Sequence, residues 1–200
     1  MFKLVVSIFL FFTSLSFAMT EVEIQSTMSN KIDKVLLILK DSKLEKMQKG
    51  EEIISIMEPA FDYTLMSRLS LGKTWKNISK SQRAEFTELF TQKLKNSYIE
   101  KLDLYTDELV EILGVDKVKK NRIVLRTQLV GKEKKYDIGY KFYKKKNEDT
   151  WLIYDVDLLG VSLIQTYRKQ FSGFLKEKTF NELLIHLKIK KQEKQNNKQW

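Results

Sequence analysis

The segment that decides the fold is WLIYDVDLLGVSLIQTYRKQF, residues 151–171, because its hydrophobic period changes in the middle. Apolar residues alternate in twos over residues 151–158, which predicts a strand. One side of that strand would carry Leu152, Tyr154, Val156 and Leu158. After Gly160 the apolar spacing becomes three and four, and Ser162 followed by Gln165 offers a capping box that can start a helix. The segment therefore predicts a strand joined by a very short connection to a helix that folds back over the same sheet.

Upstream of this segment, helical spacing of apolar residues predicts further helices. The predicted helices are residues 22–39, residues 44–57, a short one over residues 61–69 that Gly72 ends, and a long one that starts at the Ser79–Gln82 capping box and carries an apolar stripe as far as Tyr105. A final helix is predicted through residues 183–187. No repeat or linker divides the chain, so one folded domain is expected.

Alternating apolar residues predict four strands, which lie around residues 110–112, 123–129, 136–142 and 151–158. The last three are separated by short polar connections of the kind that hairpins use. The expected architecture is therefore α+β, with an antiparallel sheet of about four strands and helices packed on one face. Periodicity leaves open whether the space between sheet and helices is a filled core or an apolar cavity.

The N-terminal residues have the layout of a cleavable signal peptide. Lys3 precedes an apolar run that is too short to span a membrane, and small residues follow it up to Ala18. We expect cleavage after Ala18 and export to the periplasm. The predicted organisation is a signal peptide over residues 1–18, a domain over residues 19–187 and a basic, disordered tail over residues 188–200.

The composition of the chain limits the classes of partner that it is expected to bind. The 200 residues include 36 Lys plus Arg, 26 Asp plus Glu, no Cys and one His, for a net charge of +10. An anionic partner is expected, such as a membrane surface or an acidic protein. Nucleic acid is not expected, because the aromatic residues fall on the apolar sides of the predicted elements and form no stacking platform among the lysines.

The sequence contains few residues that could act in catalysis. Without cysteine, and with His186 alone among leucines, neither a Cys/His pair nor a multi-histidine metal site can form. Asp155 and Asp157 share one side of their strand and could act as an acid–base pair. Because lysines are frequent on the neighbouring strands, ion pairing is the preferred reading of this pair.

Two blocks of the sequence resemble the MlaC family, the soluble periplasmic phospholipid-binding component of the Mla pathway, which is also described as a toluene-tolerance auxiliary component of an ABC transporter. The first block is FDYTLMSRLSLGKTWKNISKSQRAEF, residues 61–86, and the second is residues 154–171 of the segment quoted above. The similarity in layout runs from about residue 22 to residue 187.

The resemblance implies a carrier and not an enzyme. Its cargo would be a diacyl phospholipid, with no other cofactor and no metal, held in a cavity between the sheet and the helices. Two acyl chains of about 30 methylenes, at roughly 0.8 kcal/mol each, would lose on the order of 24 kcal/mol if they were left in water. The chains must therefore be almost wholly enclosed.

Residues expected to line this cavity fall on apolar faces within or between the two blocks. They are Met66, Leu69, Leu94, Tyr98, Leu102, Leu125, Ile138, Tyr140, Val156, Leu158, Val161 and Leu163. Arg68 and Arg168 are candidates for contact with the headgroup phosphate. The alternative for each arginine is an ion pair with Asp62 or Asp155 that fixes the local fold.

By the same resemblance, the partners would be an outer-membrane lipoprotein complex and an inner-membrane ABC transporter with a lipid-binding substrate domain. The protein would shuttle phospholipid between them, with transient membrane contact, in a system that maintains outer-membrane lipid asymmetry. The alternative is a basic exported interaction domain that docks on anionic membrane or protein surfaces without internal lipid. A lipid-acting hydrolase that uses Asp155 and Asp157 is a further rival.

Overall fold

Seven helices and a five-stranded sheet make up the part of the chain described by a computed structural model, which covers residues 19–100, 102, 108–146, 148 and 150–196, with side chains up to residue 189. The helices are α1 (Ile24–Lys40), α2 (Lys46–Met57), α3 (Tyr63–Leu71), α4 (Thr74–Asn77), α5 (Lys80–Ile99), α6 (Leu163–Glu177) and α7 (Phe180–Asn196). The strands are β1 (Leu109–Lys119), β2 (Arg122–Val130), β3 (Lys135–Lys144), β4 (Trp151–Leu158) and β5 (Val161–Ser162). The strands pair antiparallel in the order β1-β2-β3-β4-β5, which confirms the predicted α+β class.

Local side-chain hydrogen bonds set the helix starts. Ser79 accepts a hydrogen bond from the backbone N–H of Gln82 at 3.1 Å, and the Gln82 side chain accepts one from the N–H of Ser79 at 3.0 Å, so the predicted capping box opens α5. Ser162 likewise accepts from the N–H of Gln165 at 3.0 Å and opens α6. Gly72, with a φ of +57°, ends α3 as predicted.

The pairing of β3 with β4 contains one irregularity. Phe142 is opposite Ile153 and Lys141 is opposite Asp155, so Tyr154 is an extra residue in β4. An extra residue in one strand is a β-bulge, and it turns the residues that follow it to the other face of the sheet.

The bulge corrects the predicted faces of β4. Strict alternation puts Leu152 and Tyr154 on the same face as Val156 and Leu158, whereas the bulge places Val156 and Leu158 on the face that carries Ile153. Trp151 and Ile153, which alternation assigns to the opposite side, are buried together in the core.

The core is divided into two clusters. The first, which we call the helical core, contains Met66, Leu71, Ile78, Phe86, Leu89, Phe90, Ile164, Tyr167, Phe171, Leu183, Leu184 and Leu187. The second, the sheet core, contains Met19, Ile24, Met28, Ala60, Ile123, Leu125, Phe142, Trp151 and Ile153. Phe61 packs against both clusters and also forms a parallel bridge with Ile153 at the edge of β4.

Two predicted segments lie mainly outside the described residues, and the structure extends two others. The predicted signal peptide, residues 1–18, lies outside them, as does most of the predicted end of the long helix beyond Ile99. Helix α7 continues past Leu187 to Asn196, where a disordered tail is expected from the composition. The strand predicted around residues 110–112 is the longer β1.

Candidate functional site

The joint between β4 and α6 is held by Asp155, which is buried. One carboxylate oxygen accepts hydrogen bonds from Lys141 Nζ at 3.1 Å and from Ser162 Oγ at 2.6 Å. The other accepts from the backbone N–H of Ile164 at 3.0 Å, in the first turn of α6. Asp155 therefore ties the end of the sheet to the start of the helix, and both of its oxygens are occupied by fixed partners.

Asp157 completes this cluster. Its carboxylate forms an ion pair with Lys141 at 3.1 Å, so one lysine bridges both aspartates. Burial alone would lower the pKa of Lys141, but its hydrogen bonds to Asp157 and Asp155 raise the pKa overall. The pair is an ion-pair cluster, as the sequence analysis prefers, although Asp155 lies in the interior and not on the surface.

Asp62 performs the same task at the start of α3. One of its carboxylate oxygens accepts a hydrogen bond from the backbone N–H of Leu65 at 2.8 Å, and the other accepts one from the Tyr143 hydroxyl. Burial, together with the Asp62 carboxylate, raises the pKa of Tyr143. The most distinctive carboxylates of the two sequence blocks are thus anchors between β3 and the helices.

Along β3 and β4, the sheet face that carries Ile153 becomes more exposed over three successive rows of paired residues, whereas the β2 member of each row stays buried. The rows are Ile123–Phe142–Ile153, Leu125–Tyr140–Val156 and Thr127–Ile138–Leu158. All members of the first row are buried in the sheet core, where α1 contributes Ile24 and Met28. Tyr140 and Val156 in the second row are half-buried, and Leu158 in the third row is 48% exposed. The apolar face therefore continues beyond the packed core.

Tyr98, near the end of α5, faces this open part of the sheet. Burial raises the pKa of Tyr98, and the Tyr140 phenol raises it further, so the two phenols are close to each other. Burial also raises the pKa of Tyr140, to about 12. Tyr98 is nevertheless 41% exposed. Tyr98 therefore lies close to Tyr140, beside the part of the sheet face that the packed core leaves partly exposed.

We call this partly exposed apolar face the sheet pocket and define it by Tyr98, Ile138, Tyr140, Val156 and Leu158. Its members come from α5, β3 and β4, and its apolar floor is provided by cross-strand pairs. Sequence reasoning named all five. It did not name Ile112, which lies in the predicted strand around residues 110–112 and packs partly buried against the sheet core from β1.

The other expected lining residues lie elsewhere. Met66 belongs to the packed helical core, and Leu69 and Leu94 are packed against it. Leu125 is fully buried in the sheet core. Neither Met66 nor Leu125 has exposed surface that could line a pocket. An apolar stripe in the sequence indicates that a residue is buried but not which residues it contacts.

Three further expected residues lie beyond the sheet pocket. Leu102 is half-buried, and the residues on both sides of it, 101 and 103, lie outside the described chain. Val161 and Leu163 are exposed at the junction of β5 and α6.

The structure places both candidate headgroup arginines at α3. Arg68 is close enough to lower the pKa of Tyr143, whose side chain projects from the face opposite to the sheet pocket. The Arg168 guanidinium lies over Gly72, where an added Cβ would come within 2.9 Å of Nε. A cation at this position complements the C-terminal dipole of α3. The hydrogen bonds and ion pairs found among the described residues do not include an ion pair of either arginine with Asp62 or Asp155.

Between α2 and α5 lies a cleft of about 560 Å³, whose walls include charged Glu51, Glu58 and Lys95. Across the described ranges, acidic and histidine side chains form no cluster that could hold a metal ion. No helix in the described part of the chain combines the length and the apolar character that crossing a bilayer requires.

Two comparisons of the sequence with known proteins found the same family. The model of the family described as MlaC protein matches residues 29–189. The intermembrane phospholipid transport system binding protein MlaC of Haemophilus influenzae is 22% identical over 120 residues, which are 58% of this chain and 56% of that protein. The match thus spans little more than half of that relative's length.

A solved structure shows the same fold. The phospholipid-binding protein of Ralstonia solanacearum, determined in complex with a phospholipid, matches with a TM-score of 0.69 and 19% identity over 82% of this chain and 94% of that chain. Because the family model spans most of the sequence, from within the first half of α1 to the last helix, the chain belongs to the MlaC family.

Proposed function

We propose that the protein binds a phospholipid with its acyl chains in the sheet pocket and carries it between membranes. The observation that carries the proposal is the apolar sheet face that leaves the packed core and opens below Tyr98. A face of this kind stays desolvated only if something apolar covers it, and acyl chains meet that requirement. Family membership and the two phospholipid-related relatives support the same reading.

The route of transport is part of the proposal. We expect export to the periplasm through residues 1–18, and exchange of the lipid with an outer-membrane lipoprotein complex and an inner-membrane ABC transporter. A carrier needs no catalytic group, which agrees with an Asp155 whose carboxylate is fully engaged in holding α6.

Native mass spectrometry with lipid extraction tests the proposal on protein purified from the periplasm without detergent. A phospholipid near one copy per protein is the expected result. Enclosed acyl chains should remain through a high-salt wash, whereas the rival reading, surface docking through basic residues, weakens steeply with ionic strength. A folded protein that carries no lipid and takes none from vesicles would overturn the proposal.

Photo-crosslinking locates the lipid. A crosslinking residue at Tyr98 or Tyr140 should form lipid adducts. The matched control is Val124, which lies on β2 but pairs with Lys141 on the opposite face of the sheet. Adducts at Val124 and none at the two tyrosines would place the lipid somewhere other than the sheet pocket.

A further inference from the structure

The turn between β4 and β5 has an unusual residue at its tip. Leu158 pairs with Val161, so Leu159 and Gly160 form a two-residue hairpin loop, with φ values of +53° and +78°. Loops with two positive φ values favour Asn-Gly or Asp-Gly, because a branched side chain is strained in the left-handed region. Leu159 is the one described residue other than glycine with a positive φ.

Four apolar side chains cluster around this turn and are open to solvent. They are Leu158, Leu159, Val161 and Leu163, and we call them the apolar tip; Leu159 is 56% exposed and Val161 is 61% exposed. Folding gains little from a strained leucine that points into water. Contiguous exposed apolar residues of this kind mark a surface that contacts another apolar phase.

The hairpin beside the apolar tip carries three exposed lysines and one exposed glutamate, Glu133. The backbone N–H of Leu159 donates a hydrogen bond to the carbonyl oxygen of Asp137, which joins the turn to the first residues of β3. The adjoining β2–β3 hairpin carries exposed Lys132, Lys134 and Lys135. The chain as a whole has a net charge of +10. Leucines on a protruding turn beside lysines match an anionic bilayer, where apolar side chains enter the acyl boundary and lysines meet the headgroups.

We propose that the apolar tip is the membrane-docking element of this protein and inserts into the interface of an anionic bilayer. Leu158 belongs both to the tip and to the sheet pocket, so docking would bring the open end of the pocket to the lipid surface. This link to the pocket rests on the proposed function, whereas the docking itself does not. A convex tip suits a fluid bilayer better than a structured protein partner, which would need a matching concave surface.

Vesicle flotation of the mature protein tests the docking. The vesicles contain phosphatidylethanolamine and phosphatidylglycerol at a ratio of 3:1, and vesicles of phosphatidylcholine alone are compared. Leu159→Asn should weaken binding about tenfold, as expected when one leucine side chain no longer enters the bilayer. Lys134→Gln should weaken binding roughly fivefold on the anionic vesicles and leave the neutral ones unchanged.

Leu159→Asn also separates docking from folding. Asparagine is favoured at this turn position, so the variant should unfold at the same or a higher temperature than the wild type while it binds vesicles less well. The matched control is Leu37→Asn, which removes a leucine that is 70% exposed on α1 and should leave vesicle binding unchanged.

Two results would overturn the docking proposal. One is unchanged vesicle binding by Leu159→Asn, which is the result expected if the tip binds a protein and not a membrane. The other is an equal loss for Leu37→Asn, which would show unspecific adsorption. Lipid carried through purification is measured in parallel: lipid-free protein that still floats with Leu159 dependence would refute the carrier function and leave the docking intact.

Discussion

At the scale of single residues, two aspartates explain why both sequence blocks look so distinctive. Asp62 and Asp155 each direct one oxygen to the first turn of a helix and the other to a side chain of β3. The Asp155 oxygen that binds Lys141 also receives the Ser162 hydroxyl. A carboxylate used in this way fixes the angle between helix and sheet, and so fixes the position of α6 relative to the pocket.

Replacing Asp155 should therefore be costly. In Asp155→Ala, Lys141, Ser162 and the Ile164 N–H lose their acceptor, and we expect about 3 kcal/mol less free energy of unfolding, since one partner of a buried charge pair is removed. Urea unfolding measures the change. Asp116→Ala, which removes an exposed ion pair with Arg126, should cost less than about 1 kcal/mol. Equal costs for the two variants would show that Asp155 does not act as a buried anchor.

The glycine that ends α3 gives a second prediction. Gly72→Ala should lower the free energy of unfolding by about 1–2 kcal/mol, because its φ of +57° disfavours a side chain and its Cβ would approach Arg168. Gly173, within α6, has open space around its Cα and no positive φ. Gly173→Ala should therefore raise the same quantity by about 0.5–1 kcal/mol, and thermal denaturation of the two variants should shift in opposite directions.

At the scale of elements, helix starts could be predicted from the sequence and strand faces only in part. Capping at Ser79 and Ser162 is local, so neighbouring residues are sufficient to identify it. The bulge at Tyr154 depends on how β4 pairs with β3, and no glycine marks it. It moves Val156 and Leu158 to the face that carries Ile153, which is opposite to the face that strict alternation assigns to them.

Val156 offers a test of the pocket as an element of the sheet. Val156→Trp should fill the space beside Tyr140 and reduce the co-purified phospholipid to less than half of the wild-type ratio, while circular dichroism stays the same. Val124→Trp places the same side chain on the opposite face of the sheet and should leave the lipid ratio unchanged. A full complement of lipid in Val156→Trp would place the acyl chains away from the second row of the sheet.

At the scale of the whole molecule, the divided core explains which site residues could be foreseen. Positions on β3 and β4 face the pocket because strand partners share a face, so Ile138, Tyr140 and Leu158 follow from alternation together with pairing. An apolar stripe on a helix does not indicate which neighbouring element covers it, and Met66 packs inside the helical core. The separation of the helical core from the sheet core arises from contacts far apart in the sequence, which periodicity does not contain.

Phenol side chains lie at the edge of the sheet pocket, and their ionisation makes the free energy of unfolding fall at alkaline pH. Burial raises the pKa of Tyr140 to about 12, above the usual 10, so the folded state keeps a proton that the unfolded chain releases. The resulting stabilisation is complete below pH 10 and is lost as pH rises towards 12. Phenylalanine cannot ionise. Raising the pH from 9 to 11 should therefore lower the free energy of unfolding of Tyr140→Phe by about 1 kcal/mol less than it lowers that of the wild type.

Comparing the two proteins by urea unfolding at both pH values measures the contribution of Tyr140 together with its effect on the pKa of Tyr98, because Tyr63 and Tyr143, whose pKa values are also raised, are present in both. Parallel losses in the wild type and in Tyr140→Phe would mean that Tyr140 ionises normally in the folded protein, and hence that water reaches its hydroxyl freely. The sheet pocket would then be too wet to hold acyl chains without closing further around them. A smaller loss in Tyr140→Phe would instead show that the folded protein holds this phenol in an apolar site even at high pH, as a lipid-binding recess requires.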